Sequence, residues 1–146
     1  MKTMIFGVFD GLHEGHKYFI EQARQAISPH PPLTVRGGAE GAIVIVVARD
    51  SVVQKLKNKL PQWHELKRME ILKQNYPEAT VVLGDEEQGR YNVIEVYKPD
   101  VLCLGYDQQA LGKDLQGAME RGIVPTLPLV YLKPHKPELY KSSKIV

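Results

Sequence analysis

Histidines and glycines are concentrated in one segment near the N-terminus, and their spacing suits the binding of a phosphate. The segment, residues 7–16, reads GVFDGLHEGH and lies between a short apolar run and a helical pattern. The first N–H groups of a helix lack intrahelical partners, and the helix dipole adds partial positive charge there. Gly11 and Gly15 allow a sharp turn and the close approach of a phosphate. His13 and His16, three residues apart, can face the same anion. The segment therefore predicts an anion site at a strand-to-helix turn.

Apolar runs alternate with helical patterns along the chain, and these elements must position the turn. The clearest run is AIVIVV at residues 42–47, which indicates a strand buried on both faces of a parallel sheet. Strands are predicted at residues 3–8, 42–47, 79–83, 101–104 and 126–131, and helices at 15–27, 51–57, 62–75, 90–97 and 108–121. This alternation predicts an α/β fold: a Rossmann-like three-layer sandwich with a five-stranded parallel sheet. Ligands of such sheets bind beyond the carboxyl ends of the strands, where the turn, Asp50 and Gly105 would lie.

The bulk properties fit one cytoplasmic domain. The chain has 146 residues and a formal net charge of +2, which is too small for a surface that coats nucleic acid. Its one cysteine, Cys103, lies in an apolar run, is expected in the core and suits a reducing compartment. No apolar run approaches the ~18–20 residues that span a bilayer, and no signal peptide is expected. Residues 29–41, rich in proline and glycine, are predicted to be a loop insertion.

Residues 7–16 resemble the G-x-F-D-x-x-H-x-G-H signature of the cytidylyltransferase-like nucleotidyltransferases. The resemblance implies transfer of a nucleoside monophosphate from a nucleoside triphosphate to a phosphorylated acceptor, with release of pyrophosphate. A tight turn with two solvated histidines is the alternative interpretation. Motif matches need structural support, and here the expected support is a strand before the turn and a helix after it.

The resemblance also implies roles for single residues of the turn. His13 and His16 would contact the triphosphate and stabilise charge around the α-phosphorus. Gly7, Val8 and Phe9 would bind nucleotide, together with Asp10 and Gly15. Asp10 would shape the turn or help to place Mg²⁺, which is expected to arrive with the triphosphate; no protein metal site is predicted. Val8 departs from the cytidylyltransferases, which commonly have threonine or serine at that position.

Further along the chain, the resemblance implies two other nucleotide contacts. Gly105 and Asp107 follow a predicted strand, where the family contacts base and ribose. Ser142 and Ser143 resemble the second family signature, a hydroxyl-rich turn that binds phosphate. Taken alone, such a pair of serines near a terminus is more often a helix cap or a frayed end.

Two basic residues complete the predicted catalytic set. Lys55 resembles a mobile lysine of the family, although a solubilising run of lysines would look the same. Arg68 falls where the family places an arginine that reaches the acceptor or the triphosphate, and a solvated helix face is its alternative. Trp63 and Tyr76 are interpreted as packing residues.

Two subfamilies are considered, and they differ in the acceptor and in the nucleotide that they use. Archaeal-type FAD synthases resemble the middle of the chain more closely, at residues 47–50, 82–86 and 98–108. The favoured reaction is therefore ATP plus FMN giving FAD, and the alternative is a CTP-dependent glycerol-3-phosphate cytidylyltransferase. A nucleotide-binding module without turnover is kept as a third hypothesis. The resemblance implies a homodimer, and neither a membrane nor a nucleic-acid partner is expected.

Overall fold

The structure, a computed structural model, describes residues 2–12, 14–26, 42–85, 91–105 and 108–132. Strands and helices alternate along these ranges, with two helices between β2 and β3. Their bounds are β1 (Lys2–Gly7), α1 (Glu14–Ala26), β2 (Ala42–Val47), α2 (Asp50–Lys57), α3 (Glu65–Asn75), β3 (Thr80–Leu83), α4 (Asn92–Tyr97), β4 (Val101–Leu104), α5 (Gln109–Glu120) and β5 (Leu129–Tyr131). The predicted insertion at residues 29–41 lies outside the described residues.

The five strands form one parallel sheet in the order β3-β2-β1-β4-β5. Strand β1 is central, with Ile5 opposite Ile45 of β2 and Cys103 of β4. The chain first builds outward from β1 to β3 and then returns to place β4 on the other side of β1. Strand order therefore reverses between β1 and β4, the point at which open α/β sheets bind their ligands. The predicted Rossmann-like α/β fold is confirmed.

Both faces of the sheet are covered by helices. Successive side chains of a strand point to opposite faces, so β1, β2 and β4 each contribute to two separate core clusters. On one face Ile5 and its neighbours pack with Ile20 of α1 and Leu72 of α3. On the other face Met4 and its neighbours pack with Ile94 of α4 and Leu115 of α5. This two-sided burial explains why β2 is apolar throughout and confirms the three layers.

Two elements, α3 and β5, begin three residues later than the sequence predicts. Helix α3 begins at Glu65 rather than residue 62, with His64 as its N-cap, whose Nδ1 accepts from the Leu66 N–H at 3.2 Å. Strand β5 is limited to three residues, because Pro128 just before it has no N–H to donate to the ladder. The helix predicted over residues 108–121 is observed as α5, which ends at Glu120, and Gly122 shortly after it has φ +77°, as is common beyond a helix end. No helix within the described ranges is long and apolar enough to cross a membrane.

Burial of Cys103 leads to a prediction about alkaline pH. Desolvation raises the pKa of its thiol from 9.0 to about 11. Between those values the unfolded chain loses the proton that the folded chain keeps, so stability should fall as pH rises through this window. The shift corresponds to about 2–3 kcal/mol in the free energy of unfolding. Urea unfolding at intervals from about pH 8 to pH 11 measures the slope.

The matched control for this prediction is Cys103→Ala. Burial also raises the pKa values of Tyr76 and Tyr91, so some loss of stability is expected in either chain. The thiol's contribution is the difference between the two slopes. Equal slopes for the wild type and the alanine variant would show that the thiol does not have the raised pKa.

Candidate active site

The signature turn between β1 and α1 depends on an unusual backbone conformation at Phe9. This residue has φ +54°, a region that a bulky aromatic residue rarely adopts, and Gly11 follows with φ +80°. The Phe9 ring folds back over Gly7, where an added Cβ would lie 2.7 Å from Phe9 Cε2. The ring is buried in the same core cluster as Ile5. Gly7 is therefore required for this packing, and only the main chain of Phe9 is placed to serve its predicted part in nucleotide binding.

His16 lies on the first turn of α1, at the carboxyl end of the central strand. Its ring centroid is 5.5 Å from that of Phe9, and the two planes meet at 67°, an edge-on contact. Phe9 in turn stacks on Phe19 of the same helix, with ring centroids 6.4 Å apart. The buried Phe9 ring thus contacts the His16 imidazole and helps to hold its orientation. Gly15 precedes His16 in the same first turn of α1, and the nucleotide contacts of this pair stay a prediction.

Asp10 connects the signature turn to the segment before α3. Its two carboxylate oxygens accept the N–H groups of Gln62 at 2.7 Å and Trp63 at 2.9 Å. These bonds fasten residues 62 and 63 to the turn, and α3 starts after them at Glu65, with the N-cap His64 in an extended conformation. Asp10 thereby shapes the turn, and its part in placing Mg²⁺ stays a prediction. The packing role predicted for Tyr76 is confirmed, because its side chain is buried. Trp63 is only partly buried, so its side chain packs over part of its surface alone.

Arg68 is fully buried and bonds to three separate segments. Its Nη1 donates to the carbonyl of Val8 at 2.7 Å and its Nε to the carbonyl of Trp63 at 3.0 Å. Its Nη2 donates to Oδ1 of Asp50 at 2.6 Å. The solvated helix face considered for Arg68 is wrong, since the residue has 0% exposure. The predicted contact to a substrate stays a prediction; the observed bonds hold the signature turn in place.

Asp50 is the counter-charge of this arginine and also joins two helix starts. Its N–H donates to Oε1 of Glu65 at 2.7 Å, and the Glu65 N–H donates to Asp50 Oδ2 at 3.3 Å. The N-cap of α2 is Arg49, which makes no side-chain capping bond. We call Val8, Asp10, Asp50, Trp63 and Arg68 the Arg68 network. It fixes the turn from the side of α2 and α3.

A second set of bonds joins β1 to β4 at the point where strand order reverses. The Gly105 N–H donates to Oε1 of Gln108 at 2.7 Å, and Nε2 of Gln108 donates to the carbonyl of Phe6 at 2.9 Å. Gly105 therefore lies at the expected edge of the sheet. Gln108 lies in the stretch at residues 98–108 that carries the resemblance, but it is not among the predicted site residues. Its signal would have been an amide, both donor and acceptor, three residues after Gly105.

For the remaining predicted site residues, the structure gives only the exposure of Lys55. The Lys55 side chain is exposed on α2, and its catalytic role stays a prediction. His13, Asp107, Ser142 and Ser143 lie outside the described residues. Within the described ranges no group of three or more histidine, cysteine, aspartate or glutamate side chains could hold a metal ion.

Comparison with known proteins agrees with this geometry. The family model described as cytidylyltransferase-like matches residues 4–146. The FAD synthase of Methanobrevibacter ruminantium is 33% identical, covering 84% of this chain and 75% of the relative. The FAD synthase of Methanobrevibacter smithii is 32% identical over 99% of this chain and 88% of its own length. That of Thermoplasma volcanium is 32% identical over 99% of this chain and 91% of its own.

Solved structures share the fold. A protein from Thermoplasma volcanium described as a lipopolysaccharide core biosynthesis protein superimposes with a TM-score of 0.74. It is 26% identical, and the match covers 93% of this chain and 98% of that one. The pantoate–β-alanine ligase of Francisella tularensis, 9% identical, has a TM-score of 0.56 over 92% of this chain and 59% of its own, and shows the fold alone. With the signature turn at the carboxyl edge of its parallel sheet and a family match over nearly its whole length, this chain belongs to the cytidylyltransferase-like family.

Proposed function

We propose that this protein is an FMN adenylyltransferase, which transfers AMP from ATP to FMN and releases pyrophosphate. The observation that carries the proposal is the similarity to FAD synthases, at 32% identity over 99% of the chain for two of them. The geometry is compatible, since the signature turn and the start of α1 lie where a phosphate would be held. The homodimer and the cytoplasmic location expected from the sequence stay predictions.

The reaction needs positioning more than acid–base chemistry. An oxygen of the FMN phosphate, already ionised, attacks the α-phosphorus of ATP. The bond from that phosphorus to the bridging oxygen of the β-phosphate breaks, and pyrophosphate leaves with the electron pair. The protein must hold both substrates in line and stabilise the charge that spreads over the oxygens. His16 and the first N–H groups of α1 are the groups that we propose for this task.

Mg²⁺ is proposed to come with the triphosphate. This ion prefers phosphate oxygens and water, and proteins usually add one or two carboxylates rather than a complete cage. Asp10 is the carboxylate of the turn, and its two oxygens already accept main-chain N–H groups. These acceptors have further lone pairs, so Asp10 fits a supporting part beside the ion. Bound to the triphosphate, the ion would neutralise phosphate charge.

The decisive experiment measures pyrophosphate release with Mg²⁺ in four mixtures, pairing ATP or CTP with FMN or glycerol 3-phosphate. We expect release only with ATP and FMN. Release only with CTP and glycerol 3-phosphate would replace the proposal with the cytidylyltransferase alternative. Both results use the same protein sample, so differences in folding cannot produce them.

A binding measurement covers the hypothesis of a module without turnover. Trp63, the one tryptophan of the chain, donates its main-chain N–H to Asp10 of the signature turn. Flavins absorb in the range of tryptophan emission, so bound FMN should quench its fluorescence, whereas glycerol 3-phosphate should not. Quenching by FMN without pyrophosphate release would support the inactive module. The absence of both quenching and pyrophosphate release would contradict the choice of FMN as acceptor.

A further inference from the structure

Gln108 uses its side chain in a way that its position does not explain. It is the N-cap residue of α5, a place where polar side chains usually accept an N–H of the first helical turn. Gln108 makes no capping bond to the described first turn of α5. Its amide turns instead to the sheet, accepting from Gly105 at 2.7 Å and donating to Phe6 at 2.9 Å. The side chain thus satisfies main-chain groups of two strands and none of its own helix.

The two groups that Gln108 joins lie at the expected binding crevice. The pairing of β1 with β4 runs from Thr3 opposite Val101 to Ile5 opposite Cys103. Beyond that pairing lie Phe6, the residue after Ile5 in β1, and Gly105, the residue that follows the end of β4 at Leu104. Strand order reverses between these strands, and ligands of such sheets enter there. The amide of Gln108 therefore bridges the two strand exits at this edge of the sheet.

We propose that Gln108 is a positioning residue for nucleotide binding, which acts by holding the exits of β1 and β4 at the spacing that the nucleoside triphosphate requires. The inference rests on the proposed function only in so far as a nucleotide binds at this crevice. It does not depend on FMN as the acceptor. By bonding to the Gly105 N–H, Gln108 also fixes the orientation of a main-chain group at the edge where the base is expected.

A second connection between α5 and β1 provides a structural control. The hydroxyl of Tyr91 donates to Asp114 of α5, and the Tyr91 ring packs edge-on against Phe6 with centroids 6.4 Å apart. This connection belongs to the core on one face of the sheet. Tyr91→Phe removes its hydrogen bond and leaves the Gln108 bridge intact. A purely structural role for Gln108 would make the two positions behave alike.

The test is the pH dependence of ATP binding by Gln108→Glu. A protonated glutamic acid has one O–H donor and an acceptor oxygen, so it reproduces both bonds of the amide, whereas the carboxylate only accepts and would face the Phe6 carbonyl. The Phe6 carbonyl disfavours the ionised form and should raise the pKa of the introduced acid above its ordinary value of about 4.3. Compared with wild type at the same pH, we expect affinity about tenfold weaker near pH 8 and a clearly smaller deficit near pH 5, where part of the acid is protonated. Gln108→Leu should bind about tenfold more weakly than wild type at both pH values.

The measurement is calorimetric titration of each full-length variant with Mg²⁺-ATP and with Mg²⁺-CTP, without an acceptor, beside urea unfolding. Tyr91→Phe should lose stability and keep the wild-type affinity. The inference is overturned if the glutamate and leucine variants bind like wild type, or if affinity follows stability across all three variants. It also falls if the wild type binds neither nucleotide. If pyrophosphate release fails with FMN while the pH effect is present, only the choice of acceptor is lost.

Discussion

Arg68→Met is expected to lower the free energy of unfolding by about 3–5 kcal/mol, the range found when one partner of a buried ion pair is removed. Methionine fills similar space but provides no N–H group. The Asp50 carboxylate, whose side chain is only 20% exposed, would lose its counter-charge. The carbonyls of Val8 and Trp63 would lose their donor as well. Urea unfolding monitored by circular dichroism measures the change.

The control for this substitution is Arg24→Met. Arg24 pairs with Glu21 at 3.0 Å on the surface of α1, with side-chain exposures of 35% and 49%. Such a pair contributes about 0–1 kcal/mol, so the same change of residue should have little effect there. A similar loss at both positions would show that the Arg68 network is not a main source of stability. The loss of unfolding free energy for Arg68→Lys should lie between those of Arg24→Met and Arg68→Met, because one ammonium cannot reach three divergent acceptors.

His16→Asn is expected to reduce kcat by about 10²–10³-fold, the range seen when one preorganised donor to developing charge is removed. The imidazole is placed by α1 and by its edge-on contact with Phe9. Loss of that aromatic contact should lower stability by only about 0.5–1.5 kcal/mol. Steady-state pyrophosphate release with ATP and FMN, at a temperature where both proteins are folded, measures the rate.

The matched control is His30→Asn, in the segment predicted to be an insertion. It should leave kcat within about twofold of wild type, since the sequence predicts a loop insertion at residues 29–41 and substitutions in such loops usually have small effects. Equal rates for wild type and His16→Asn would contradict the role of His16 at the α-phosphorus. A fall in kcat that is recovered by stabilising the variant with osmolyte would point instead to misplacement of Phe9.

Features with a local cause could be predicted from the sequence. The strand β2 follows from six consecutive apolar residues, which only a doubly covered strand accommodates. The turn at residues 7–16 follows from its glycines and histidines. The end of α5 follows from Gly122, which adopts φ +77°. In each case the residue that determines the structure lies in the element it determines.

Features that depend on distant partners could not be predicted in the same way. Arg68 has an ordinary place in a helical pattern, and its burial comes from Asp50 and Val8, far away in sequence. Phe9 is conspicuous in the motif, yet its ring belongs to the core because a positive φ turns it back over Gly7. Gln108 shows its function only once β1 and β4 are known to be neighbours. The position of the candidate site could therefore be predicted from the sequence, whereas the side-chain contacts that fix its main chain could not.

The central place of β1 has a consequence for the order of events during synthesis. The chain emerges from the ribosome with β1 and its signature turn well before either neighbouring strand, since β2 spans Ala42–Val47 and β4 spans Val101–Leu104. Closing the β1–β4 contact joins segments about one hundred residues apart, which slows folding relative to local contacts. A nascent chain that has not yet exposed β4 therefore carries the complete motif without its crevice. Competence to bind nucleotide is acquired late, when β4 and Gln108 dock against a strand made long before them.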